Sequence, residues 1–254
     1  CLEDFVKFGL KISQPNNVEE KRKSFRLLDT SMSDSAGIVE SILEECYRLR
    51  SISNENQELT KIYILLADPE SDFAKRRAKS IKNVDNTPLE RTLEGLKQIE
   101  TSLIDVSIKM EDKGCEAISK YDFEGNKNSE IKKNIAELAA YLNSNGRDFG
   151  LTIKFYSEVP SGPMYFLQNI LIQGRFCSGY SAIQLPWMAI VNDPTCSQDL
   201  YDIFSNEFDN IWNNSNLSYE FSNFDTEDVS EDQGQTKEQL LEEIQALRWE
   251  NEKF

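Results

Sequence analysis

Lys61-Ile-Tyr-Ile-Leu-Leu-Ala-Asp-Pro-Glu-Ser-Asp-Phe-Ala-Lys-Arg-Arg-Ala-Lys-Ser80 holds a strand, a turn and a helix within twenty residues. The run Ile62 to Ala67 is apolar at nearly every position, the pattern of a strand buried on both faces, and so predicts a central, parallel strand. Asp-Pro is a turn signal, Ser71 suits a helix N-cap, and Asp72 complements the helix dipole in the first turn. A short helix is expected from about Ser71.

Upstream, Ser24-Phe-Arg-Leu-Leu-Asp29 is a second strand candidate, followed by small polar residues, Thr30 to Ser35, that cap helices. Ile38, Ile42, Leu43, Cys46 and Leu49 then share one helical face. Downstream, Thr87-Pro88-Leu89 opens a helix with proline in its first turn, and Leu89, Leu93, Leu96, Ile99 and Leu103 sustain the period as far as Met110. Ile131, Ile135, Leu138, Ala139 and Leu142 mark another helix, expected to end at Asn145-Gly146 with the glycine in a left-handed cap. From Leu151 the period becomes strand-like: Leu151 to Tyr156, Met164 to Phe176 and Ala182 to Val191, interrupted at Pro160–Pro163, Cys177–Gly179 and Asn192–Pro194. A last amphipathic helix turns Leu200, Phe204, Phe208 and Ile211 or Trp212 inward. The order β-α-β-α-α-α-β-β-β-α gives an α/β fold, a mixed β-sheet covered by helices.

Residues 1–220 read as this α/β domain, 221–236 as an acidic linker, and 237–254 as the start of a C-terminal partner or coiled-coil helix. In that helix Leu240, Ile244 and Leu247 recur at helical spacing, and self-association or a partner protein is the expected use. The alternative is a solvated helix packing on its own domain. The chain begins at Cys1 and stops at Phe254 inside a helical pattern, and is expected to belong to a longer protein.

The net charge of -16 is concentrated at the C-terminus: from Glu207 onward thirteen acids face three basic residues. Broad attraction to nucleic acid or to an anionic membrane is therefore not expected, although one basic patch suffices for a phosphate. No apolar run approaches the roughly 20 residues that cross a bilayer, and a secretory signal pattern is absent, so a cytoplasmic protein is expected. The five cysteines are scattered without a C-x-x-C pair, which indicates neither a disulfide framework nor zinc. The chain has no histidine. That removes Ser-His and Cys-His nucleophiles, histidine metal sites and phosphohistidine intermediates. No cofactor is expected, since neither common glycine-rich phosphate loop occurs.

Ligands of parallel α/β sheets collect beyond the C-terminal strand ends, where helix N-termini expose amides. At the opening junction Asp68 and Glu70 are candidates for hydroxyls or a cation, and Lys75, Arg76, Arg77 and Lys79 for an anion if their helix face turns toward the crevice. The competing reading is a plain corner with those basic residues in water. Lesser candidates are a Glu158–Asp193 acid/base pair, Cys1 as an N-terminal nucleophile, and a ring pocket of Tyr165, Phe176, Tyr180 and Trp187, each rivalled by an ordinary structural role.

The pattern I-x-I-L-L-A-D-P-E-S-D-F-A-K-R-R, with Leu151–Tyr156, Val159-Pro160 and the final Asp199–Trp212 helix, resembles the catalytically silent phospholipase D-like domains of bacterial regulatory and signalling proteins, over roughly residues 24 to 215. Active members of that family carry H-x-K-x-x-x-x-D on a strand hairpin. The resemblance places those positions at Gly162, Met164 and Asn169, none of which does the reaction, and leaves Gly174 to Ser181 as a pocket rim. It implies recognition without turnover. The expected ligand-binding set is accordingly Asp68, Glu70, Ser71, Arg76, Arg77, Gly162, Tyr165, Asn169, Ser178 and Tyr180, around a small anionic ligand. The expected function is a non-catalytic sensor or regulatory domain. The alternatives are an interaction or oligomerisation domain without a pocket, and an enzyme working through carboxylates or tyrosine.

Overall fold

A computed structural model describes residues 2–12, 24–33, 36–52, 60–81, 86–109, 128–146, 150–180, 184–193, 195 and 199–220. All of them belong to the unit Cys1–Ser222. The linker and the C-terminal helix expected beyond residue 220 lie outside the described residues.

In chain order the elements are α1 (Leu2–Ile12), β1 (Ser24–Asp29), α2 (Ala36–Ile52), β2 (Lys61–Ala67), α3 (Asp72–Ser80), α4 (Pro88–Lys109), α5 (Asn128–Asn145), β3 (Leu151–Tyr156), β4 (Met164–Leu167), β5 (Ile170–Gln173), β6 (Met188–Val191), α6 (Leu200–Asn213) and β7 (Ser218–Tyr219). Seven strands form one mixed sheet in the order β6-β5-β4-β1-β2-β3-β7. β1, β2 and β3 run parallel, with Leu27 opposite Ile64 and Ile64 opposite Ile153. Both flanks are antiparallel, β4 on β1 and β7 on β3. The central parallel position read from Ile62 to Ala67 is where β2 lies.

The pleat of β2 explains its continuous apolarity. Ile62, Ile64 and Leu66 point into a core shared with α1, α2, α4 and α5, whereas Leu65 and Ala67 point into a second core with α3 and α6. Side chains clamp α6 onto its face. Arg26 in β1 bridges Asp209 at 3.0 Å and lies 4.2 Å over the Phe166 ring. Lys154 in β3 donates to the Trp212 carbonyl at 2.9 Å from above that indole. On the opposite face the Asn143 amide of α5 joins the edge of β3, donating to the Ile153 carbonyl and accepting its N–H at 2.7 Å. Among the described residues no helix is long and apolar enough to cross a membrane.

Four expectations need correction. Met164 to Phe176 is two strands, folded back at Gln168, whose φ of 63° makes the turn. Gly146 does not take a left-handed cap; its place is dictated by space, since a Cβ there would lie 2.8 Å from the Leu151 side chain. Leu200 points outward at 57% exposure, and Tyr201 takes the inward place because its hydroxyl reaches the Gln168 carbonyl. The strand expected over Ala182 to Val191 is confined to Met188–Val191, with residues 181–183 outside the described set. α1 and β7 were not expected.

Candidate functional site

The C-terminal ends of β1, β2 and β3 converge with α3 and the start of α4. Thr87 and Glu90 start α4 by capping each other: the Thr87 amide donates to the Glu90 carboxylate at 2.6 Å, and the Glu90 amide to the Thr87 hydroxyl at 3.3 Å. Gly95 lets this helix lie flush on the loop after β1, because any Cβ would sit 1.7 Å from the Ser31 carbonyl oxygen. Gln98 then donates to the Ser33 carbonyl at 2.9 Å, and Arg91 donates to the Ser33 hydroxyl at 3.2 Å. The result is a cavity of about 20 Å³ bordered by Thr30 and Ser31, by Ala74, Arg77 and Ala78 of α3, and by Pro88, Arg91 and Thr92 of α4. As it stands it has room for one or two waters.

Arg77 organises one wall. It is only 8% exposed, and its two terminal nitrogens donate to the Cys177 carbonyl at 2.7 Å and the Tyr180 carbonyl at 2.8 Å. The Gly179 amide donates to the Ser80 carbonyl at 2.6 Å. Three hydrogen bonds thus pin the loop after β5 to α3. Burial lowers the Arg77 pKa from its usual value; the Arg91 charge lowers it further, against smaller opposing effects of Cys177 and Asp29. Arg77 and Arg91 therefore border one small niche beside the first turn of a long helix, where the dipole is positive.

Behind this niche Asp29 is buried. Its carboxylate accepts from the Tyr165 hydroxyl and, at 2.6 Å, from the Thr30 amide, while its carbonyl accepts from the Tyr156 hydroxyl at 3.2 Å. Burial, and secondarily the Asp29 charge, pushes the Tyr156 phenol well above its ordinary value.

The expected ligand-binding residues divide accordingly. Arg77, Tyr165 and the backbone of Tyr180 meet at this end of the sheet. Asp68 and Ser71 build the corner itself: the Asp68 carboxylate accepts the Glu70 amide at 2.8 Å, and Ser71 caps α3 by accepting the Ala74 amide at 3.1 Å. Burial raises the Asp68 pKa, partly offset by its bonds to the Glu70 amide and Tyr219. Glu70 is paired with Lys132 at 2.5 Å. Arg76 is exposed and folds back to donate to the Asp72 carbonyl at 3.1 Å, and Lys75 and Lys79 are exposed as well. The plain-corner reading therefore describes every basic residue of α3 except Arg77.

Gly162 is buried, and a Cβ there would lie 2.4 Å from the Gly174 carbonyl oxygen, so the position has no room for a side chain. Met164 is fully buried in the α6 core. Asn169 stands in the β4–β5 turn, at the opposite end of the sheet: β4 pairs Met164 with Leu28 near the niche and Leu167 with Phe25 far from it. Ser178 is exposed on the pinned loop. Among the lesser candidates, Tyr165 and Trp187 stack at 5.3 Å, Phe176 stacks beneath Arg77, and Tyr180 is exposed. Asp193 is committed to its own turn, accepting from Thr195. Cys1 lies outside the described residues.

Sequence reading missed Asp29, Thr30, Ser31, Tyr156 and Arg91. One signal was present: β1 ends in Asp29, and Asp68 directly follows the end of β2. Arg91 had none, because it belongs to the polar face of a helix whose apolar face carried the reading. Among the described residues no group of three or more metal-ligating side chains is arranged around a common point. Comparison with protein-family models, curated proteins and solved structures gives no match for this chain.

Proposed function

We propose that the chain is a non-catalytic sensor or regulatory domain of phospholipase D-like type, which takes a small anionic group into the niche between Thr30, Ser31, Arg77 and Arg91. The reading rests on one observation: Arg91 and the buried Arg77 border the same small cavity, close enough for their like charges to oppose each other. An anion between the two guanidinium groups removes that repulsion and accepts from both, a charge-assisted geometry worth roughly twice a neutral hydrogen bond. The 20 Å³ cavity admits a terminal phosphate or carboxylate only after Arg91 shifts outward, so the remainder of a larger ligand lies outside it. Gly162 and Met164, packed as they are, support recognition in place of hydrolysis.

Binding acts on the loop after β5 through Arg77, which shares its donors between that loop and the ligand. A ligand shifts such a loop only by its different affinity for the two arrangements. Residues 221–254 are the route by which the change reaches an attached module. Thermal melting with inorganic phosphate, nucleotides and phosphosugars tests the reading. Stabilisation of about 2.7 kcal/mol is expected at a hundredfold excess over Kd, and Arg91→Ala at least roughly halves it. An unchanged midpoint with every anion rejects the site.

A further inference from the structure

Strand β6 borders the sheet, and among the described residues no strand pairs with its outer side. Asn192 donates its amide to the Asn169 carbonyl at 2.8 Å. In the alternation of an antiparallel ladder, the amides and carbonyls of Ala189 and Val191 therefore point away from β5. Such a row is a template for another strand, and edges of this kind ordinarily carry lysine, proline or a bulge. Met188-Ala-Ile-Val191 has no lysine or proline. The whole run Phe176 to Asn192 lacks Asp, Glu, Lys and Arg, in a chain of which 28% is charged.

Apolar side chains flank this edge. Val191 is 58% exposed, and Leu200 and Ile203 at the start of α6 are similarly open. The Asp193 amide donates to the Asp199 carboxylate at 2.8 Å, which ties the start of α6 to the end of β6.

We propose that β6 pairs antiparallel with β6 of a second copy, about a two-fold axis at Ile190, with Ala189 of each copy opposite Val191 of the other. About four main-chain hydrogen bonds result, and the contact is isologous. Charge selects both partner and direction. The chain carries a net charge of -16, most of it from Glu207 onward, and an uncharged strand meets its own copy without adding like-charge opposition. Asp193, Asp199 and Asp202 gather at one end of β6, and antiparallel pairing sets the two Asp193 residues about 20 Å apart. That exceeds the Debye length of about 8 Å at physiological salt, whereas parallel pairing would put them side by side. This contact is independent of the anion niche.

Sedimentation equilibrium of the full 254-residue chain tests the pairing, with a mass of twice 29.2 kDa expected. Ala189→Pro removes an outward amide and leaves the bonds to β5 intact; Val191→Lys puts charge beside the same edge on an exposed position. Each is expected to raise the dimer Kd at least about tenfold, with an unchanged circular dichroism spectrum. If Ala189→Pro does not fold, Val191→Lys decides alone. A wild type that stays monomeric up to about 0.1 mM, or a dimer that Val191→Lys leaves intact, overturns the proposal; the latter outcome assigns self-association to another surface, such as residues 237–254.

Discussion

Gly95 holds α4 against the end of β1, since a methyl group there would overlap the Ser31 carbonyl oxygen at 1.7 Å. Helix propensity favours alanine over glycine by about 1 kcal/mol, yet here the obstacle is backbone, which cannot swing aside. Gly95→Ala is expected to destabilise by about 1–3 kcal/mol or more in chemical denaturation; a neutral or stabilising result would show that α4 does not rest on that loop. Asp68 makes a different prediction, because burial raises its pKa in the fold above the ordinary 3.8. The folded chain then binds this proton more tightly than the unfolded chain, so its contribution to stability is full below pH 3.8 and is lost as pH rises through the folded value. In an Asp68→Asn variant the side-chain amide does not titrate and still offers an oxygen to the Glu70 amide. Relative to wild type, Asp68→Asn should therefore gain stability as pH rises from below 3.8 to 7; a difference constant over that range would contradict the burial of the carboxylate.

At the scale of elements, the loop after β5 depends on the fork of Arg77 to the Cys177 and Tyr180 carbonyls. Lysine keeps the charge but cannot hold two carbonyls in a planar fork. Arg77→Lys is expected to speed tryptic cleavage after the exposed Arg175 by about tenfold, the scale of losing one hydrogen bond to a charged group, and to lower global stability by a comparable amount, about 1.4 kcal/mol. An unaltered cleavage rate would show that the loop is held by other contacts. The elements themselves were legible where one periodicity ran long enough: β2 from its unbroken apolarity, α4 from its leucines, α3 from Ser71 and Asp72. Short or doubly used segments were not. β4 and β5 read as one strand because Gln168-Asn169, unlike Asn-Gly, carries no glycine to announce the turn. Leu200 obeyed the helical period of Phe204 and Phe208, but Tyr201 won the inward place through a hydroxyl partner on a distant strand end. The niche was half legible, since Arg77 lies in the conspicuous junction, whereas Arg91 and Asp29 reach it only through the packing of α4 and β4 around the parallel strands.

For the whole molecule, the mixed sheet divides labour between its two faces and its ends. Two cores hold the strands from either side, and this frees the C-terminal ends of β1 to β3 to gather polar groups that no core would tolerate. The chain is acidic throughout its C-terminal part, so a pair of arginines at one sheet end is a local exception to the overall charge. Hydrolysis of a chromogenic phosphodiester by purified protein would contradict the non-catalytic reading outright. The most direct test is calorimetric titration of inorganic phosphate into the full chain and into Arg91→Ala. The account predicts saturable one-to-one binding in the wild type, weakened at least about tenfold, or about 1.4 kcal/mol, in the variant; equal binding by both proteins, or no heat from either, would contradict it.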